Sequence, residues 1–339
     1  MRYRAIPKAG LNLSEIAFGC GGNAGLMVRG TREEQVRAVA RALELGINYF
    51  DNSPDYGNCI AETNLGAALK ALSARPFVNT KVEIRAENLG DVAGHVLRSA
   101  ADSLARLGVE RIDVFQIHNG PTRKPLVLEG RDYRQLPISS YLGPKGALEG
   151  LVRLKAAGAI RSAGFICRGN DGAEVREMID TGVFDVINVP YTLLNPSAAR
   201  SPEGAQFAPD FAGVIDYARE RGVGAAVYAP LAGGFLSDDG VKGATAHAYS
   251  RAPKDNEATA RNRAKAAAVR FVADASGLSL AQAAYRFILM NDGVTTALGG
   301  FSSIAQMEEI VTVCNAPPFG ADVMARLEET WRANFGLAP

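Results

Sequence analysis

Short apolar runs alternate with amphipathic stretches along most of this chain. EIAFGCGG (15–22) is apolar and ends in glycines. In the segment that follows, TREEQVRAVARALELG (31–46), Val36, Val39, Ala40 and Leu43 recur at helical spacing. Thr31 and Glu34 form a capping box at its start, and Gly46 stands where a helix would close. The same pairing then repeats. INYFD (47–51) precedes a helical stretch at 61–72. FVNTKV (77–82) precedes the stripe Leu97, Ala100, Leu104 and Leu107, closed by Gly108. IDVFQIH (112–118) is paired with 147–158, SAGFIC (162–167) with 171–182, and DVINVPY (185–191) with 210–222. GAAVYAPL (224–231) leads to a long helical region, 257–291, and TTALGGF (295–301) to a last helix from Ser303.

Eight strands, each followed by a helix, predict a parallel sheet, because every crossover returns on the same side. At this length the pattern predicts an α/β fold of the (β/α)8 TIM-barrel type, a single domain over 1–339, rather than an open doubly wound sheet. The glycines of GCGGNAG do not have the G-x-G-x-x-G spacing of the dinucleotide fingerprint. Two segments break the rhythm, 119–145 after the fourth strand and 232–260 after the seventh. Both are rich in Gly, Pro and charge, and both are long enough to serve as lids or binding loops. The first carries Arg123, Lys124, Arg131, Arg134 and Lys145, which suits a solvated face or subunit contact as well as substrate binding.

Composition narrows the picture. Hydrophobic residues make up 47% of the 339 and charged residues 22%, enough to bury a core and unlike a disordered chain. A formal charge of +1, with Lys and Arg scattered among Asp and Glu, gives no electrostatic footprint for nucleic acid. No apolar run reaches the ~20 residues that span a bilayer, and the start lacks the apolar segment of a signal peptide. A cytoplasmic protein without membrane contact is expected, with oligomerisation left open. Cys20, Cys59, Cys167 and Cys314 form no C-x-x-C and lie near no histidine at ligand spacing, so free thiols and no metal are expected.

Barrel chemistry sits at the carboxyl ends of the strands. Asp51 ends the second strand, Lys81 lies near the end of the third and His118 ends the fourth, while Tyr56 stands in the turn after Asp51. Singly, these residues suit a helix cap, a snorkelling lysine, a rim tyrosine and a structural histidine. Together they face one mouth. An ammonium lowers the pKa of a nearby phenol, a carboxylate holds that ammonium, and a histidine hydrogen-bonds an oxygen beside the phenol. Such a group protonates an alkoxide as it forms. The hydride it needs comes from no side chain, which implies a nicotinamide cofactor.

FDNSPDYGN, LGAAL, NTKV and DVFQIHNG together resemble the aldo-keto reductases, in particular the branch of aldose and pyridoxal dehydrogenases. The similarity runs from about Tyr3 to about Val311 and includes GCGG, RLGVERIDVFQIH, GAIRSAGF, VINVPYTLLNP, VYAPLAGGFL and ALGGFSSIAQMEE. It implies a (β/α)8 barrel and NAD(P)-dependent interconversion of a small carbonyl compound and an alcohol. It also implies the tetrad Asp51, Tyr56, Lys81 and His118, with Tyr56 as the general acid–base. Cofactor contacts implied in the same way are Gly21, Cys167, Asn188, Tyr191 (stacking on the nicotinamide), Pro230, Leu231 and Gly233 (over the pyrophosphate), and Gly300, Ser302, Gln306 and Glu309 (along the adenosine).

The sequence departs from the family at several of these points. Ile166-Cys167 replaces Ser-Asn, Asn188 replaces Gln, and Ser302 stands where many members bear the cation for a 2′-phosphate. Another residue, such as Arg263, would have to supply that cation, and NADP is placed ahead of NAD. Cys167 beside the nicotinamide implies a thiol-sensitive site. The other readings are an NAD-dependent sugar or small-alcohol dehydrogenase, a cofactor-sensing regulatory subunit with little turnover, and a Schiff-base aldolase using Lys81.

Overall fold

The computed structural model describes residues 1–124, 134–169, 171–243 and 256–338. Eight parallel strands close into a barrel: β1 (Ile16–Gly19), β2 (Tyr49–Asp51), β3 (Phe77–Val82), β4 (Ile112–Ile117), β5 (Ile160–Ile166), β6 (Val186–Pro190), β7 (Gly224–Tyr228) and β8 (Val294–Gly300). Neighbours pair in sequence order, and β8 closes on β1 through Ala297–Gly300 opposite Ile16–Gly19. Side chains alternate along each strand, as the pleat requires. Ala17, Tyr49, Val114, Val186, Ala226 and Leu298 fill the lumen, whereas Ile16, Phe18, Phe50, Phe115, Phe165, Ile187 and Val227 face the surrounding helices.

Those helices are α1 (Arg32–Glu44), α2 (Ile60–Leu72), α3 (Val92–Leu107), α4 (Ala147–Ala156), α5 (Gly172–Asp180), α6 (Val214–Glu220), α7 (Leu280–Leu289) and α8 (Ile304–Val311). The capping box of α1 forms as the sequence predicts: Thr31 Oγ1 accepts from the Glu34 N–H at 3.3 Å and Glu34 Oε2 accepts from the Thr31 N–H at 2.7 Å. Its buried face is rotated from the expected one, to Gln35, Ala38, Val39 and Ala42, because the small alanines allow closer approach than Val36 and Leu43, which flank them. In α3 the buried line is Val92, Val96, Ala100, Ser103 and Leu107, with Leu97 and Leu104 half-buried at its edges.

The sequence reading missed a hairpin, Tyr3–Ile6 paired antiparallel with Leu11–Ser14, which plugs the amino-terminal end of the barrel. Ile6, Leu11 and Leu13 join the lumen cluster. A Cβ at Gly224, the first residue of β7, would lie 2.3 Å from Ile6 Cδ1, so only glycine lets the plug seat. The region 257–291 is not continuous: it divides into Glu257–Ala268, Phe271–Ser276 and α7. Gly277, at φ +65°, ends the middle piece and a Ser279/Gln282 capping box opens α7. The helix from Ser303 is not the last, since Ala321–Arg332 follows and anchors through Trp331, whose Nε1 donates to the Leu193 carbonyl at 2.8 Å.

Of the two rhythm-breaking segments, 119–145 carries a small parallel pair, Gly120–Thr122 with Gln135–Pro137, and a short helix, Ile138–Leu142. The segment 232–260 carries a turn, Ala232–Gly234, and a short helix, Asp238–Lys242. Residues 125–133, with Arg131, and 244–255 lie outside the described residues. Among the described residues no helix is long and apolar enough to cross a membrane.

Candidate active site

The carboxyl ends of β2, β3 and β4 bring Asp51, Lys81 and His118 to one mouth, and the turn after β2 adds Tyr56. That turn is fastened locally. The Ser53 N–H donates to Asn52 Oδ1 at 2.8 Å, the Tyr56 N–H to the Ser53 carbonyl at 3.1 Å, and Asn52 Nδ2 to the Ala61 carbonyl at 3.0 Å. Lys81 is buried in the lumen. Its Nζ donates to Asp51 Oδ2 at 2.9 Å, to the Asn52 carbonyl at 2.5 Å and to Tyr56 Oη at 3.2 Å. Those three bonds use every N–H of an ammonium. Because Tyr56 Oη accepts from Lys81, its own hydrogen is left to point elsewhere.

The other oxygen of Asp51 is held as firmly. Oδ1 accepts from Asn79 Nδ2 and, at 3.4 Å, from Asn188 Nδ2. Asn79 also donates to Gln116 Oε1 at 3.0 Å, and Gln116 Nε2 donates to Asn188 Oδ1 at 2.9 Å. A ring of amides across the lumen therefore orients the carboxylate that orients the lysine. Both Asn79 Nδ2 and Gln116 Nε2 are spent on this ring, while the Asn79 side-chain oxygen is buried without a partner among the described residues.

Charge tuning differs from the sequence expectation in one respect. Burial raises the Tyr56 phenol above its ordinary range; the Lys81 charge and hydrogen bond pull it down but do not overcome the burial. The resting group is a neutral phenol, a proton donor. Burial disfavours the Lys81 charge, yet Asp51 and the Tyr56 oxygen outweigh it and hold Lys81 above its usual value.

His118 Nδ1 lies 3.0 Å from Asp55 Oδ2 and 3.3 Å from Ser53 Oγ. Asp55 Oδ1 is also paired with Arg85 at 3.1 Å. Glu83 completes the group: ligand-type atoms of Asp55, Glu83 and His118 all lie within 4.8 Å of one another. Burial lowers His118 to about 4, with the Lys81 and Arg168 charges acting in the same direction and Asp55 opposing. Burial and then the hydrogen bond and charge of Asp55 raise Glu83 to about 8. Burial works to raise Asp55 as well, but hydrogen bonds from His118 and Glu83 and the Arg85 charge hold it well below the usual carboxylate range. Near neutral pH the cluster is thus a neutral imidazole, one carboxylate and one carboxylic acid.

The proposed cofactor contacts are scattered differently. Gly21 stands at the mouth, where an added Cβ would lie 3.9 Å from Tyr56 Cζ. Pro230, Leu231 and Gly233 form the turn after β7, with Gly233 at φ +77°. Gly300 is exposed at the end of β8, and the Ser302 N–H donates to Gln306 Oε1 at 2.8 Å. Glu309 accepts from Ser279, the N-cap of α7, and Arg263 packs against Gly243. Asn188 spends its amide inside the lumen. Cys167 is fully buried and burial pushes its thiol far up, so a thiol-sensitive site is not supported.

Tyr191 does not stand at the mouth. It has the outward parity of β6 and packs, tilted, against Phe287 of α7, with ring centroids 4.9 Å apart. The strand-end aromatic that faces the mouth is Tyr228, which has the inward parity of β7 and donates from Oη to the Cys167 carbonyl at 2.8 Å. Counting strand parity from Ala226 would have found it.

Asp55, Glu83 and Arg168 were also missed, since none ends a strand. Asp55 immediately precedes Tyr56, and Arg168 follows β5, packed under Gly120. A Cβ at Gly120 would sit 2.2 Å from the Arg168 carbonyl oxygen. Gly120→Ala is expected to cost ~1–3 kcal/mol of stability through that backbone clash, read as a lower urea midpoint. An unchanged midpoint would show that the rim yields freely.

A profile described as the Aldo/keto reductase family matches residues 15–332. The chain is 26% identical over 328 residues to an L-galactose dehydrogenase of Arabidopsis thaliana, covering 95% of this chain and 91% of that one. A glycerol dehydrogenase structure from Gluconobacter oxydans superposes with a TM-score of 0.72 at 21% identity, over 99% of this chain and 97% of that one. An aldo-keto reductase from Klebsiella pneumoniae in complex with NADPH gives 0.66 at 18% identity, over 95% and 93%.

Proposed function

Because the chain belongs to the aldo/keto reductase family, a family of oxidoreductases, we propose that it interconverts a small aldehyde or ketone and the corresponding alcohol with a nicotinamide dinucleotide. The observation that carries this reading is the bond from Lys81 Nζ to Tyr56 Oη at 3.2 Å, made by an ammonium that Asp51 anchors at 2.9 Å. It leaves a phenolic proton free at the mouth.

The residues there fit the cofactor. Gly21 presents no side chain over the Tyr56 ring, Tyr228 offers an aromatic surface, and the Gly233–Gly234 turn has no Cβ to obstruct a phosphate. Gly21, Tyr228, Pro230, Leu231, Gly233, Gly300 and Ser302 would hold it, and when bound it supplies or accepts the hydride. Tyr56 gives its proton to the forming alkoxide in reduction and takes it back in oxidation, and Lys81 stabilises the phenolate between these states. NADP is placed ahead of NAD, and the Klebsiella relative's complex with NADPH supports that order.

The test is turnover with NADPH, NADH, NADP⁺ and NAD⁺ against panels of aldehydes, ketones, sugars and small alcohols. Cofactor-dependent absorbance change at 340 nm on at least one panel is expected. Tight nucleotide binding without turnover on any panel would instead favour a cofactor-sensing subunit.

A further inference from the structure

We propose that Asp55 is a positioning residue that locks His118 as its Nδ1–H tautomer, so that Nε2 meets the substrate as a hydrogen-bond acceptor and selects a hydroxyl beside the reacting carbonyl. The idea rests on the oxidoreductase reading and deepens it.

Its first support is geometric. A carboxylate can only accept, and Asp55 Oδ2 lies 3.0 Å from His118 Nδ1, so that nitrogen must carry the hydrogen. Arg85 at 3.1 Å from the other oxygen keeps Asp55 the ionised member of the pair. A buried imidazole close to the Lys81 ammonium stays neutral, so one ring nitrogen only is protonated. Nε2 is then a lone pair, and no hydrogen bond from the described residues reaches it.

The second support is the clasp that holds the cluster together. Asn119 follows His118 and bonds Ile84 twice, accepting from its N–H at 2.8 Å and donating to its carbonyl at 2.9 Å. The residue on the other side of Ile84's peptide is Glu83, whose own carbonyl lies 3.1 Å from His95 Nε2. Glu83 is faced by Asp55 and His118 across the mouth, by Arg85 on its own segment and by Arg168 from the end of β5. In its protonated state it is a donor, and Asp55 is the acceptor it meets.

The chemical consequence is selectivity. A bare carbonyl oxygen and an unprotonated Nε2 present lone pairs to each other, whereas a neighbouring hydroxyl donates to Nε2 while Tyr56 donates to the carbonyl. A site built for a hydroxyl discriminates against an analogue lacking it, because its own polar group is left unpaired.

Two measurements test this, both with a chelator present. Long-range ¹⁵N–¹H spectra report the tautomer directly, and with three histidines in the chain the His118 signals are assignable against a His95→Gln control. The wild type is expected to show protonated Nδ1 and bare Nε2. Asp55→Asn is expected to reverse this: Arg85 claims the amide oxygen, and the NH₂ faces Nδ1. Nε2–H or imidazolium in the wild type, or an unchanged tautomer in Asp55→Asn, would overturn the proposal.

In kinetics, lactaldehyde should exceed propionaldehyde in kcat/KM by at least about tenfold, and Asp55→Asn should erase most of that ratio. As pH rises through about 8, Glu83 ionises while Asp55 remains the carboxylate that accepts from Nδ1–H, so the ratio should persist in the wild type. No preference in the wild type would sink the recognition half. Absence of all turnover would refute the oxidoreductase reading alone, because the spectra read the tautomer without substrate.

Discussion

Tyr56→Phe should lower kcat about 10²- to 10⁴-fold, the range that a positioned general acid contributes, while the nucleotide dissociation constant changes little. The substitution removes one oxygen and leaves the ring, which stands edge-on to His118 with centroids 6.0 Å apart. The turn therefore keeps its shape, and Ser53, Asn52 and Ala61 keep their bonds. What is lost is, among the described residues, the one hydroxyl that both accepts from Lys81 and has a proton to give at the mouth. Because Tyr56 is a neutral phenol held above its ordinary pKa, carbonyl reduction needs no prior protonation across the neutral range. Stopped-flow hydride transfer with a saturating aldehyde, alongside nucleotide titration by fluorescence, separates chemistry from binding. Undiminished hydride transfer would remove Tyr56 from the mechanism.

The barrel, and the gathering of Asp51, Tyr56, Lys81 and His118 at one mouth, were legible in the sequence for a physical reason. Each βα unit repeats the same hydrophobic period, and a parallel strand buried on both faces reads as a plain apolar run. A polar residue at the end of such a run, as Asp51 and His118 are, has nowhere to go but the mouth. Lys81 was harder, since it lies inside β3, but a charged residue in so apolar a strand asks for a partner. The rest depends on information that periodicity does not carry. Tyr191 and Tyr228 both stand at strand ends, and only inward or outward parity separates a core aromatic from a mouth aromatic. Asp55 and Glu83 meet across two loops, and Asn119, which clasps those loops, looks like an ordinary turn residue. The sign of the Tyr56 shift was also beyond reach, because the balance between burial and the Lys81 charge is set by how completely the lumen excludes water. The amino-terminal plug was missed because its strands are four residues each, too short to establish a period.

Lys81→Met should cost stability as well as activity, and the two losses should separate in a second variant. The Lys81–Asp51 pair is almost fully enclosed, with side-chain exposures of 2% and 5%. Removing one partner of a buried pair leaves an uncompensated charge, at about 3–5 kcal/mol. Asn79 and Asn188 still donate to Asp51 Oδ1, which places the expected loss toward the lower end of that range, read from urea unfolding. Adding Asp51→Asn should restore most of the stability, because a neutral amide can share the lumen's amide ring without a counter-charge. It should restore none of the turnover, since Tyr56 would still lack the ammonium that stabilises its phenolate. A double variant that recovered activity with stability would mean that the pair's role is structural. One that recovered neither would mean that the lumen network, rather than the unpaired carboxylate, is what Lys81 sustains.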